Sequence, residues 1–414
     1  MSDYITDGKG RNTMVKKLQP KLRFRGFTDA WEPRRLKSLH RQPLLVSPVP
    51  SQTYISWSVP AFSTGEPEIV KGSEIESVKQ SVNSSDVLLC RINPRINRVW
   101  VVEARKDTDL PMIASTEWVV FTGHNSDSYF LSALFTSSRF RNMLLSEVAG
   151  VTGSQKRFQI ASVLERQEYF PTQIEQARIG LLFAKVDNLI AAEKRKLDLL
   201  QKKKRALLRQ IFEQKLRFAG YNNPWERCRL GDITEFADYG IAASAIPYDG
   251  TVRYLRITDI DDETRQVNIY ELPSPDMKHR SRKEDYLRQG DLVFARTGAS
   301  VGKTYLNRSD RDDIVHAGFL IRFRLKDNIC PEFIYQQTLG ENYRKFIAIT
   351  SQRSGQPGIN SSEYADWTLY LTSIEEQNQI GGLFGQLDEL IAALTQKIDL
   401  LMIKKKALLQ QMFV

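Results

Sequence analysis

The sequence predicts an α+β protein: two globular domains joined by two long antiparallel coiled-coil helices, related by a pseudo-two-fold internal repeat. Three observations predict it. Residues 179–212 return as residues 380–413 with twenty of the thirty-four aligned positions identical. The upstream stretch KLRFRGFTDAWEPRRL, residues 21–36, returns as KLRFAGYNNPWERCRL, residues 215–230. Between these repeated edges, residues 37–170 and 231–370 share little alignable sequence. A repeat of roughly two hundred residues is far too long for a solenoid unit and marks a duplicated module.

The elements follow in order. Residues 1–20, polar and without an apolar core, are expected to be a flexible N-terminal extension rather than a signal peptide. Residues 21–170 form a first globular domain, with strand-like runs at Val87–Cys90 and Trp118–Phe121 and a helical run over 128–145. Residues 171–214 form a first long helix, residues 215–370 a second domain and residues 371–414 a second long helix. The second domain carries strand-like runs at Leu292–Ala295 and 320–323 and a helical run over 332–346. Each long helix opens on a T-x-x-E signal, Thr172 with Glu175 and Thr372 with Glu375. The predicted packing stripe is Leu182, Phe183, Val186, Leu189, Ile190, Leu197 and Leu200 on the first helix. Its counterpart is Leu383, Phe384, Leu387, Leu390, Ile391, Ile398 and Leu401 on the second. Such stripes, sustained over about forty residues, describe a coiled-coil strut of about 60 Å. The basic runs 202–205 and 404–406 lie near the helix C-termini, where positive charge suits the macrodipole without any ligand.

Composition narrows the function classes. No run approaches the roughly 18 apolar residues of a membrane span, so no membrane partner is expected. Three widely spaced cysteines fit neither a disulfide framework nor a zinc site, and they suit a reducing cytoplasm. The net charge of +10 is compatible with nucleic acid. Its distribution is uneven: residues 215–370 carry 22 Lys and Arg against 22 Asp and Glu. A DNA-binding face there must be local, with the acids turned elsewhere.

Apparent catalytic motifs fail on spacing. Gly298 to Thr304, GASVGKT, has three residues between its glycines where a phosphate-binding loop needs four. The residues after it do not open as a helix, so the glycines read as a turn following a strand. Asn223-Pro224-Trp225 lacks the second proline of an amino-methyltransferase motif, and no nucleophile motif is present. The chain reads as a binding protein rather than an enzyme.

The ordered, duplicated set of features resembles the specificity (S) subunits of Type I restriction–modification systems. Each half opens with L-R-F-x-G-(F/Y)…W-E…L, at residues 22–36 and 216–230. Each then has a strand ending in a basic or glycine turn, at 86–100 and 290–303. A Gly/Ser/Gln turn follows at 153–155 and 354–358, before an I-G helix closing on K-K-x-A-L-L. Lys156-Arg157-Phe158 stands where the second half has a Pro-Gly turn. The resemblance implies two target-recognition domains, each reading half of a split double-stranded DNA sequence, with the spacer helices setting the separation. It also implies two adenine-methylating modification subunits and restriction subunits as partners, in bacterial defence. S-adenosylmethionine, ATP and Mg would sit on those partners, with no cofactor and no metal on this chain. Arg, Asn and Gln suit bidentate base contacts, whereas Lys and Ser more often hold phosphates. The expected DNA-binding residues are Arg91, Arg95, Asn97, Arg98, Gln155, Lys156 and Arg157 in the first domain. In the second they are Arg296, Thr297, Ser300, Lys303, Gln352, Arg353 and Gln356. The competing reading is a coiled-coil scaffold whose globular ends bind proteins, and it predicts no salt-dependent binding to duplex DNA.

Overall fold

A computed structural model describes residues 4–6, 12–14, 20–105, 107–149, 156–276 and 285–413. Its contacts divide the chain into two units, residues 1–194 with 397–414, and residues 195–396.

In the first unit, Glu32–Arg35 pairs antiparallel with Gln167–Phe170 and closes the domain at its base. Above it lie a five-stranded sheet and a three-stranded sheet ordered Trp118–Phe121, Val87–Cys90, Val99–Val101. Both predicted strand runs are fully buried because each faces two cores. Val87, Leu89, Val119 and Phe121 pack on the helical side, and Leu88, Cys90, Trp118 and Val120 pack with Ile55 and Trp57. A period of two with both faces covered gives a continuous apolar run instead of alternation. The helical run over 128–145 is two helices, α1 (Ser128–Thr136) and α2 (Ser138–Ser146). Ser137 divides them: its hydroxyl accepts the Phe140 N–H at 3.2 Å and caps α2. A short α3 (Ile160–Leu164) precedes the closing strand.

The second unit repeats the plan. Glu226–Arg229 pairs antiparallel with Thr368–Leu371. A four-stranded sheet runs Thr234–Tyr239, Leu320–Leu325, Leu292–Ala295, Thr304–Leu306. Leu292 and Phe294 face the helical core, while Val293 and Ala295 face the second core with Leu255 and Leu320. The helical run over 332–346 is interrupted at Leu339 and Gly340, separating Pro331–Thr338 from Glu341–Thr350. A few of the charges of this unit are internal. Arg322 pairs with Asp238 at 2.5 Å and Arg324 with Asp291 at 2.6 Å, all but Asp238 buried.

The long helices are α4 (Gln173–Phe212) and, following helices α5 (Pro331–Thr338), α6 (Glu341–Thr350) and α7 (Ser361–Ala365), α8 (Ile374–Met412). Thr172 caps α4, its hydroxyl accepting the Glu175 N–H at 3.4 Å. In α8 the equivalent cap is Ser373 with Glu376, one residue beyond the expected Thr372 and Glu375. The helix repeat, aligned at a constant offset, places Ser373 opposite Thr172. Both acids are fully buried and carry a second duty: Arg23 clamps Glu175, and Arg217 clamps Glu376, each through two guanidinium nitrogens. The repeated L-R-F motif is therefore a tie between each domain's entry and its helix N-terminus.

Heptad spacing locates the seam. Positions 183, 190, 197, 204 and 211 of α4 repeat every seven residues, and 384, 391, 398, 405 and 412 of α8 match them. Phe183, Ile190, Phe384, Ile391 and Ile398 are buried there. Leu182, Val186, Leu197, Leu200, Leu383, Leu387 and Leu401 are half-buried. Leu189 and Leu390 stand outside the seam, 42% and 45% exposed, because each precedes a seam position by one residue and so lies about 100° around the helix. The basic runs contribute seam residues as well as solvated ones. In the first unit Lys405 pairs with Asp187 and Lys397 with Glu193, at 2.5 and 2.6 Å. In the second unit the nearly buried Lys204 pairs with Asp388 at 2.5 Å. In the first unit these partners run in opposite directions along the two helices, as do Lys204–Asp388 and the stacked Phe212–Phe384 in the second, so the segments are antiparallel. Lys204–Asp388 and Lys405–Asp187 are the same pair in the two copies of the repeat. No helix of the described residues is long and apolar enough to cross a membrane.

Candidate nucleic-acid interface

The interiors that share little sequence build the same hydrogen-bonded frame. Each starts with an acid, Asp86 or Asp291, whose carboxylate accepts a backbone N–H three residues back at 2.7 Å. The buried strand that follows ends in an arginine, Arg91 or Arg296. The Arg91 N–H donates to the Glu117 carbonyl at 3.0 Å, and the Arg296 N–H donates to the Phe319 carbonyl at 3.0 Å. The arginine carbonyls then accept from Phe158 N–H at 3.3 Å and Ile359 N–H at 2.9 Å. Two residues on, Asn93 N–H donates to the Lys156 carbonyl at 2.8 Å, as Gly298 N–H does to the Pro357 carbonyl at 3.0 Å. In each unit, therefore, one strand end, one tight turn and one late loop meet at a single edge.

The turn is equivalent too. Trp118 N–H returns to the Ser115 carbonyl at 3.1 Å, and Leu320 N–H to the Ala317 carbonyl at 2.8 Å. Its third residue is Glu117 in one unit and Phe319 in the other. Sequence reasoning singled out neither. The one available signal was their shared place, immediately before a buried four-residue apolar run (Trp118–Phe121; the start of Leu320–Leu325).

At the first edge, Arg91, Lys156 and Arg157 come together. Glu117 accepts from Arg91 Nε at 3.1 Å and from the Arg157 guanidinium at 2.8 Å. The Arg157 hydrogen bonds, aided by those of Arg91, hold its carboxyl below the usual carboxylate range against a smaller effect of burial. Arg95 is exposed in the turn that follows the strand. Asn97 and Arg98 bind backbone instead: Asn97 Nδ2 donates to the Phe135 carbonyl at 2.7 Å, and Arg98 to the Ile92 carbonyl at 3.4 Å. Gln155 lies outside the described residues.

At the second edge, Arg296, Thr297 and Gln356 come together. The Arg296 guanidinium lies over the Tyr239 ring, 4.8 Å from its centre. Gly298 takes φ +74°, and a Cβ there would sit 3.0 Å from Gln356 Nε2, so glycine admits that amide to the edge. Gln352 and Arg353 are exposed on the late loop, Arg353 paired with Glu363 at 2.5 Å. Lys303 is buried within the unit. Its ammonium donates to the Ile260 carbonyl at 2.8 Å and meets Asp262 at 2.5 Å, because it leads directly into the hairpin's buried return strand. Its carbonyl takes the frame position that the Arg98 carbonyl holds in the first unit: Cys90 N–H donates to the Arg98 carbonyl at 3.0 Å and Ala295 N–H to the Lys303 carbonyl at 2.8 Å. Ser300 and Lys303 line a separate cavity of about 890 Å³ with Arg205, Arg265 and Arg344. The glycine-rich segment is the turn of a hairpin between Leu292–Ala295 and Thr304–Leu306. Among the described residues no cluster of three or more His, Cys, Asp or Glu could hold a metal.

Residues 222–401 match the family described as Type I restriction modification DNA specificity domain. A type I restriction enzyme MjaX specificity subunit from Methanocaldococcus jannaschii is 24% identical over 194 residues, 46% of this chain and 45% of that one. The MjaVIII specificity subunit of the same organism is 21% identical over 195 residues, 46% of this chain and 42% of that one. Residues 222–401 are thus similar to that specificity domain, and nearly half of the chain is similar to these specificity subunits. The match spans less than half the length of these relatives. The fold extends further: the crystal structure of a Type I system S subunit from M. genitalium aligns over 96% of this chain and 99% of that one. Its TM-score is 0.65 at 13% identity. Two similar units and two long helices are the architecture expected from the repeat.

Proposed function

We propose that this chain is the non-catalytic subunit that recognises a bipartite double-stranded DNA target and directs partner adenine methyltransferase and restriction subunits to it. The observation that carries this reading is the frame built twice with different side chains at matched places. Arg91 with Arg157 at one edge and Arg296 with Gln356 at the other are donors suited to base edges. Two such edges would read two different half-sites. Exposed Arg95, Arg353 and Gln352, with half-buried Lys156, would contact the backbone around them. Asn97, Arg98 and Lys303 serve the frame rather than the DNA.

The helices would set the separation of the half-sites and dock two modification subunits. Leu189 and Leu390, and Leu199 and Leu400, are exposed at equivalent positions of the repeat, 42 to 53%. Apolar side chains placed identically on both helices suit a partner that binds twice. S-adenosylmethionine, ATP and Mg would act on those partners.

Binding of the chain, assembled with its modification subunits, to duplex DNA at increasing salt tests the reading. Log affinity is expected to fall linearly with log salt, with a slope of several counterions. Binding indifferent to salt would favour the protein scaffold.

A further inference from the structure

We propose that the turn residue whose carbonyl receives the reading-strand arginine, Phe319 in one unit and Glu117 in the other, is a specificity-determining position of each recognition domain. The inference rests on the proposed DNA reading and assigns it two residues that no motif marks.

Phe319 is 63% exposed, although it lies on a rigid turn. Four backbone bonds hold that turn. Arg296 N–H binds the Phe319 carbonyl at 3.0 Å, and Leu320 N–H binds Ala317 at 2.8 Å. Gly318 N–H binds Ile241 at 2.8 Å, and Ala317 N–H binds Leu255 at 2.9 Å. A large ring is thus fixed in solvent beside Arg296, where burying it would contribute substantially. The Arg296 whose backbone binds that turn lays its guanidinium over the Tyr239 ring. An exposed aromatic beside a guanidinium suits a base pair: the ring meets a thymine methyl or the face of an opened base step, while the guanidinium takes hydrogen bonds.

The same slot in the other unit holds the opposite chemistry. Glu117 accepts from both Arg91 and Arg157. It is a positioning residue, holding the Arg91 and Arg157 guanidinium groups together at the edge. One backbone slot therefore supplies an apolar contact in one domain and an arginine clamp in the other. This is one way two domains with a common frame come to read different half-sites.

The test uses the chain expressed with its modification subunits, and reads the methylated motif for Phe319→Ala, Phe319→Gln, Glu117→Gln, Arg91→Ala and Arg296→Ala. Phe319→Ala and Phe319→Gln are expected to relax one half-site, with discrimination at one or two positions falling about ten-fold. Glu117→Gln is expected to relax the other half-site only. The unaffected half-site and the gap, both retained, report that each variant is folded, a readout that a general loss of stability would not preserve. If Arg91→Ala and Arg296→Ala relax their half-sites while the Phe319 and Glu117 variants leave the motif and its extent of methylation unchanged, the proposal is wrong and the DNA reading stands. If the arginine variants also change nothing, or the unaltered chain directs no split motif, both fall.

Discussion

At the residue scale, buried polar groups mark the side chains that build the domains. His316 is the clearest builder. It is buried among Asp238, Arg322 and Asp291, neither ring nitrogen finds a hydrogen-bond partner among the described residues, and burial pushes its pKa down to about 4. The unfolded chain, with an ordinary histidine near 6.5, binds the proton first as pH falls. Stability is therefore full above about pH 6.5 and declines down to about pH 4, by roughly 3 kcal/mol. Denaturant titration of His316→Leu is expected to remove that slope while leaving stability near pH 7 equal or higher, since the buried imidazole leaves two polar atoms unpaired. A slope unchanged by the substitution would place its origin elsewhere.

The place of Arg91 and Arg296 at a strand end was legible in the sequence because each follows a buried four-residue apolar run. Lys303 was not legible as an internal residue. Its partners Ile260 and Asp262 lie about forty residues earlier, and nothing local announces them. Phe319 and Glu117 were missed for a related reason: their significance comes from a carbonyl that meets a strand end from a distant part of the chain.

At the element scale, the repeated helices were the most legible part of the molecule, because a seven-residue spacing survives without any knowledge of the partner. Their seam was misjudged by one position at Leu189 and Leu390, since both apolar neighbours fit a three- and four-residue pattern. The breaks at Ser137 and at Leu339 with Gly340 were hidden inside continuous apolar periodicity. The lysines of the seam set the helix register. A hydrophobic pair would tolerate a shift by a heptad, whereas Lys204 requires Asp388. Lys204→Met removes the nearest cation of the mostly buried Asp388 carboxylate, leaving Gln336 and the more distant Arg308 beside it, and is expected to destabilise the chain by about 2–4 kcal/mol in denaturant titration. Adding Asp388→Leu to it is expected to recover most of that loss. A Lys204→Met chain as stable as the original would remove the pair from the account of register.

At the scale of the whole molecule, duplication explains both what is common and what differs. The shared ties Arg23–Glu175 and Arg217–Glu376 and the shared frame keep two domains on one plan. The edges on that plan carry different side chains, so one chain would distinguish two half-sites. The inserts' common frame was invisible in sequence because backbone hydrogen bonds make it and few side chains are constrained by it.

The most direct measurement is the adenine methylome of cells carrying the cognate modification subunit, without this chain, with it, and with a form lacking one matched heptad in α4 and α8. The account predicts a split adenine-methylated motif that appears only with the chain. In the shortened form both half-sites persist and the gap contracts by about three base pairs, because seven residues span about 10 Å of helix. No new motif beside an active modification subunit, or an unchanged gap in the shortened form, would contradict it.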